Sequence, residues 1–157
     1  MKLLLKQKFL SWFDRYDIYD EAGNVVFTVE GQLAWGHKLQ IYDQNSRPVG
    51  MVQEKVFTFM PKAYFYENDQ KIGMISKEFT FFKPVYHLDF NGWDVNGNFM
   101  EWDYTVTDAA GNTVAVMSKE IFNWTDTYTI EVNQPQNALY ALMITIAIDA
   151  EKCSRGS

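Results

Sequence analysis

From Ala138 to Ile148 the chain runs for eleven residues in which only Tyr140 and Thr145 carry a polar atom and none is charged. A helix with no polar face has to be buried on all sides. At about 1.5 Å per residue the segment spans roughly 16 Å, against about 30 Å for a bilayer core. That length predicts a helix inside a protein and not one across a membrane. Gln134-Pro135 separates it from what precedes, because proline cannot extend a strand ladder, and Asn137 is placed to cap it. The helix expected is 137–150. A charge at Ile146 is expected to prevent soluble folding.

The rest of the chain reads as strands. Four segments share a pattern, starting at Val25, Val49, Ile72 and Val114. The second reads VGMVQEKVFTFMPKAYFY and the third IGMISKEFTFFKPVYHLD, so that Gly50 matches Gly73 and Pro61 matches Pro84. A turn sequence precedes each copy, such as Asp20-Glu21-Ala22-Gly23-Asn24 and Asp108-Ala109-Ala110-Gly111-Asn112. Residues of these types supply positive φ or local side-chain hydrogen bonds, as hairpin turns require. The flanking runs alternate: Tyr128, Ile130 and Val132 point one way, and Thr127, Thr129 and Glu131 the other. Period-two alternation bounded by turns means antiparallel strands with one buried face, and such runs number about twelve.

A closed sheet of that many strands is too wide for its own side chains to fill. The apolar helix is what fills it. The fold expected is therefore all-β with one central helix: an antiparallel barrel of about twelve strands enclosing a hydrophobic C-terminal helix. No linker interrupts the chain, so residues 1–157 read as a single domain. The seven methionines and many aromatics are expected to pack between helix and strands.

The formal charge of −6 disfavours a general nucleic-acid binder. Charge is unevenly spread. Residues 1–15 hold Lys2, Lys6, Lys8 and Arg15 against Asp14, whereas residues 89–131 hold eight acids and Lys119 alone among bases. This reads as a lopsided solvated surface. Cys153 is the one cysteine, so no internal disulfide forms, which fits a reducing compartment; it also lies outside a prenylation box. Leu3-Leu4-Leu5 is too short for a signal-peptide core, and no stretch is long enough to span a membrane as a helix. A cytoplasmic protein is expected.

Chemistry-bearing patterns are sparse. Asp89, Asn91, Asp94, Asn96, Asn98 and Glu101 crowd together, but no frame gives the ligand positions, glycine and final glutamate of a calcium loop. Two hairpin turns on an acidic face explain them. His37 and His87 stand far apart, no serine sits in a nucleophile elbow, no glycine-rich loop precedes a helix, and metal-ligand spacing is absent. No catalytic residue, metal or cofactor is expected, with a surface His87–Asp89 pair the nearest approach to one. Asp149 follows the buried run near the helix C-terminus, where the dipole disfavours a negative charge, so it needs hydrogen bonds from barrel backbone or a lysine. Lys55, Lys62, Lys77, Lys83 and Lys119 recur near strand ends, where lysine also blunts sheet edges.

Val95-Asn96-Gly97-Asn98, the run Asp103-Tyr104-Thr105-Val106-Thr107-Asp108, the Gly111–Lys119 stretch and Asp126-Thr127-Tyr128 leading into Ile146-Ala147-Ile148-Asp149 carry a resemblance. The chain resembles the LURP-one-related proteins, a branch of the Tubby C-terminal-like superfamily that includes the phospholipid scramblases. The likeness extends from Lys6-Gln7-Lys8 to Asp149. It implies a twelve-stranded barrel around a central hydrophobic helix, in agreement with the pattern above. It does not carry one activity, since Tubby proteins bind phosphoinositides and scramblases are assigned to lipid movement. The reading preferred on charge is a non-catalytic cytoplasmic module that binds a protein partner or acts as a scaffold, because an acidic chain is repelled by an anionic surface. The alternative is binding of anionic phospholipid headgroups through Lys2, Lys6, Lys8, Lys62 and Lys83. It requires the N-terminal lysines to gather with Lys62 or Lys83 in space.

Overall fold

The structure, a computed structural model, describes residues 1–6, 15–34, 36–55, 58–122 and 125–155. The alternating runs form strands β1 (Lys2–Leu5), β2 (Arg15–Tyr19), β3 (Val25–Ala34), β4 (Gly36–Asp43), β5 (Pro48–Glu54), β6 (Lys62–Glu67), β7 (Gln70–Glu78), β8 (Val85–Asp89), β9 (Asp94–Asn98), β10 (Asp103–Thr107), β11 (Thr113–Phe122) and β12 (Thr125–Val132). The four repeat copies are the hairpins β3–β4, β5–β6, β7–β8 and β11–β12. All pairings are antiparallel, in one sheet of order β8-β7-β6-β5-β4-β3-β2-β1-β12-β11-β10-β9. The two edge strands, β8 and β9, are joined by the short turn 90–93, so the sheet is a nearly closed barrel.

Helix α1 (Ala138–Arg155) occupies the interior. Every residue from Ala141 to Glu151 is buried, as a helix without a polar face demands. It runs further than the 137–150 expected. Pro135–Asn137 form a 3-10 turn, and the Ala138 N–H donates to the Pro135 carbonyl, so a turn and not an Asn137 side-chain cap leads into the helix. Before β10 begins, Phe99–Glu101 form a 3-10 turn and Trp102 adopts φ 55°.

The meander gives the barrel two unlike ends. Turns β2–β3, β4–β5, β6–β7, β8–β9 and β10–β11 lie at one, the hairpin end. Connections β3–β4, β5–β6, β7–β8 and β9–β10 lie at the other, the loop end. The helix enters at the hairpin end, where the Tyr140 hydroxyl donates to Glu67 at 2.9 Å. It finishes at the loop end, where the Lys152 ammonium donates to the Phe99 carbonyl at 2.8 Å. The matched glycines explain how closely the parts approach. A Cβ on Gly50 would overlap the Met143 methyl of the helix, and one on Gly73 would lie 2.6 Å from the Asp89 carbonyl oxygen.

Aromatic packing follows expectation in part. Phe65, Phe90, Trp93 and Tyr140 stack in one cluster, and Tyr86, Phe99, Tyr104 and Trp102 in another. The phenylalanines of the two matched loops do otherwise: Phe59, Phe79, Phe81 and Phe82 are exposed. The interior is already filled by the helix, and loop residues past the strand ends have no core to reach.

Candidate anion-binding face

Strand alternation assigns each side chain of β4–β7 to one side of the barrel wall. Leu39, Ile41, Gly50, Val52, Ala63, Phe65 and Ile75 are buried inward. Their neighbours face out, and register brings them together: Lys38 opposite Gln53, Gln53 opposite Tyr64, Tyr64 opposite Met74. Lys55 follows β5 directly, with its N–H bonded to the Lys62 carbonyl at 2.9 Å. Lys71 faces out beside Tyr66. Lys38, Lys55, Lys62 and Lys71 thus share one outer face.

Tyr64 is its centre. The Lys71 ammonium lies 3.7 Å from the ring centroid and that of Lys55 5.2 Å. Hydrogen bonding from Lys55, helped by the charges of Lys55, Lys71 and Lys62, holds the Tyr64 phenol below its ordinary range. Each shift-causing group is a cation, so the local potential is positive.

Four acids of this part of the chain have partners of their own. Asp43 caps its own turn and pairs with Arg47 at 3.2 Å. Glu54 meets the His37 Nδ1 at 2.8 Å on the inward side of the rim. Glu67 accepts from Tyr140, and Glu78 lies 2.7 Å from the His87 Nε2. On β3 beyond the face, Glu30 is held by Arg15. Among the described residues, Lys38, Lys55, Lys62 and Lys71 form no ion pair with a carboxylate.

The lysines singled out in the sequence are dispersed. Lys62 is on the face, and Lys83 is exposed in the β7–β8 connection at the loop end. Lys2 pairs with Glu120 at 3.7 Å, and the Lys6 ammonium sits 4.4 Å above the Tyr19 ring. Lys2 opens β1 and Lys6 follows it, five strands along the sheet from β6, so they do not gather with Lys62. Lys8 lies outside the described residues. Lys38 and Lys71 were missed, because only cross-strand register sets them beside Lys55 and Lys62.

Other candidates resolve as structure. His87 pairs with Glu78 and not with Asp89. Asp89 and Asp94 stand at the hairpin end and Glu101 at the loop end, so the acidic stretch does not converge. Among the described residues no group of three His, Cys, Asp or Glu side chains is placed to hold a metal ion, and no helix is long and apolar enough to cross a membrane. Asp149 is buried near Tyr86 and Tyr104, whose phenols its charge helps, after burial, to push up. Beside it, Lys77 meets Glu151, which also accepts from the Tyr86 hydroxyl at 2.8 Å. Glu151 escaped notice because the expected helix stopped one residue short of it. The cleft beside this pair is lined by Lys62, Lys77, Tyr86 and Glu151 and has about 20 Å³ of free volume. That is room for a water molecule.

The fold and the face can be set against known proteins. A family model described as LURP-one-related matches residues 1–149. The uncharacterised protein YxjI of Bacillus subtilis (strain 168) is 25% identical over 150 residues, covering 95% of this chain and 92% of that protein. The X-ray structure of a protein from Arabidopsis thaliana superposes with a TM-score of 0.59 at 17% identity, over 98% of this chain and 91% of that one. That likeness concerns the fold alone.

Proposed function

The chain belongs to the LURP-one-related family, and on that premise we propose that it is a non-catalytic cytoplasmic binding module whose lysine face docks on an anionic phospholipid surface. The observation that carries this reading is the set of four lysines, Lys38, Lys55, Lys62 and Lys71, that pair with no carboxylate among the described residues, in a chain of net charge −6. The overall charge argued against an anionic surface only while its distribution was unknown. Acids such as Glu120 and Glu131 belong to β11 and β12, on the other side of the barrel from β4–β6. Repulsion therefore selects an orientation and does not forbid approach.

Each lysine near an anionic leaflet contributes about 1 kcal/mol, so four contribute roughly 4 kcal/mol, or about a thousandfold in partition. Screening at physiological salt acts over about 8 Å, so attraction survives at contact and fades with added salt.

Flotation tests this, using vesicles of phosphatidylcholine alone and of phosphatidylcholine mixed with phosphatidylserine, at low and physiological salt. Recovery is expected with the anionic vesicles and to decline with salt. Lys55→Gln/Lys62→Gln should lose it, whereas Lys2→Gln/Lys6→Gln, with the same charge change on β1, should keep it. Absence of recovery at either salt, or equal loss in both variants, overturns the lipid reading and returns preference to a protein partner.

A further inference from the structure

We infer that the loop end of the barrel inserts phenylalanine side chains into the interfacial layer of the bilayer on which the lysine face docks. This rests on the lipid reading above but on separate residues. Phe59, Phe81 and Phe82 are 93%, 101% and 96% exposed, and Phe79 is 56% exposed. They come from the β5–β6 and β7–β8 connections, where the chain repeats a Phe-Thr-Phe sequence before a proline.

These loops are shaped by specific bonds. The Thr58 hydroxyl donates to the Met60 carbonyl at 2.7 Å, and the Thr80 hydroxyl donates to the Lys83 carbonyl. The Lys77 N–H donates to the Pro61 carbonyl at 2.9 Å, tying the first loop to the strand that leads into the second. Phe59 and Phe79 meet edge to face across the two loops, ring centroids 6.4 Å apart. The same device is used twice to hold rings away from the barrel. Leu33, near the end of β3, and Met100, in the β9–β10 connection, are exposed at this end as well. At the hairpin end the described exposed large apolar residues are only Met1 and Val25, while the turns carry Asp20, Asp43, Asp69 and Asp108.

A cluster of exposed apolar side chains marks an interaction surface. Its charge setting identifies the partner. Lys55, Lys62 and Lys83 stand in or beside the same two loops, and the acidic turns are at the far end. Aromatic rings flanked by lysines are the composition of interfacial membrane contact, where rings sit at headgroup depth and ammonium groups meet phosphate. Phe81 and Phe82 rest on nothing of their own surface, as their exposure shows. Rings so extended suit a fluid layer that closes around them, whereas a protein interface packs at the density of a protein interior.

The test compares Phe81→Ser/Phe82→Ser and Phe59→Ser with the unaltered protein on phosphatidylcholine–phosphatidylserine vesicles. These positions are exposed, so melting temperatures should agree between proteins, which confirms that each variant is folded. The unaltered protein is expected to retain a vesicle-bound fraction at physiological salt, and Phe81→Ser/Phe82→Ser to lose at least about tenfold in partition there while keeping low-salt attraction. Phe82→Trp should gain fluorescence that brominated lipid quenches. Equal binding of the serine variants, or no added quenching, overturns insertion while leaving the lysine reading intact. Loss of all binding in Lys55→Gln/Lys62→Gln at low salt, with the serine variants unchanged, does the same. Self-association that the serine variants abolish, without any effect on vesicles, assigns the rings to a second copy and also overturns it.

Discussion

Lys77 on β7 and Glu151 on the helix, 74 residues apart, form a paired contact in which the ammonium lies 3.2 and 3.1 Å from the two carboxylate oxygens. Both side chains are largely buried, and the Tyr86 hydroxyl supplies a second donor to the same carboxylate. Burial, and then the adjacent Glu151 charge, push the Tyr86 phenol up, so it stays protonated as a donor. Lys77→Met should destabilise by about 3 kcal/mol, because it strands a carboxylate in a low-dielectric position. Lys77→Met/Glu151→Leu should recover most of that loss. Urea midpoints decide the matter: a double variant no better than the single one would show that the contact acts by packing alone.

Gly73 and Gly50 occupy the same place in two repeat copies but differ in what confronts them. The obstacle at Gly73 is backbone and the Phe90 Cβ, whereas at Gly50 it is the mobile tip of Met143. Gly73→Ala should cost about 3 kcal/mol and Gly50→Ala about 1 kcal/mol, within the range for overpacking. Denaturant midpoints in the reverse order would contradict this account of the repeat.

Ser46 adopts φ 60° at the turn position where Gly23 and Gly111 stand in the matching turns. Its N–H bond to the Asp43 carbonyl at 3.0 Å does not need a side chain. Ser46→Gly should therefore stabilise by about 1 kcal/mol, raising the melting temperature by about 2–4 °C. A lowered melting temperature would mean that the entropy of the added glycine outweighs the relief of strain.

Asp20, Asp43 and Asp108 share one capping arrangement, each accepting the backbone N–H four residues on. Hydrogen bonding from Asn24, Arg47 and Asn112 respectively holds each carboxyl below its usual range. A folded pKa below the unfolded one gives stability that is full above the unfolded value and lost as pH falls through the folded one. The melting temperature should thus fall below about pH 4. With all three changed to Asn, the variant should melt lower at neutral pH and converge on the parent as acid is added. A gap that stays constant to the acid limit would refute the carboxylate contribution.

How much was legible depended on the range of the interaction. The barrel and its helix could be read because alternation, turn chemistry and an eleven-residue uncharged run are local signals that agree. Lys62 was singled out from its place at a strand end. Lys38 and Lys71 were not, because 33 positions separate them and nothing local relates them. Glu151 was missed by one residue of helix length, and helix ends are the least determined part of a pattern. Exposure of the loop phenylalanines is not written locally either, because hydrophobicity alone cannot tell whether the core is already full.

By itself the sequence determined the class of structure: strands with one buried face, tight turns between them, and a helix that has to be enclosed. Hydrogen-bond geometry and hydrophobic burial act residue by residue, so their periods are written in the chain. Tertiary structure alone decided which charges face one another. Register across β4–β7 set four lysines on one wall and turned Glu54, Glu67 and Glu78 toward His37, Tyr140 and His87. Net charge is a sum over the chain, whereas the field that a ligand meets depends on distance, and distance is fixed only when the strands pair.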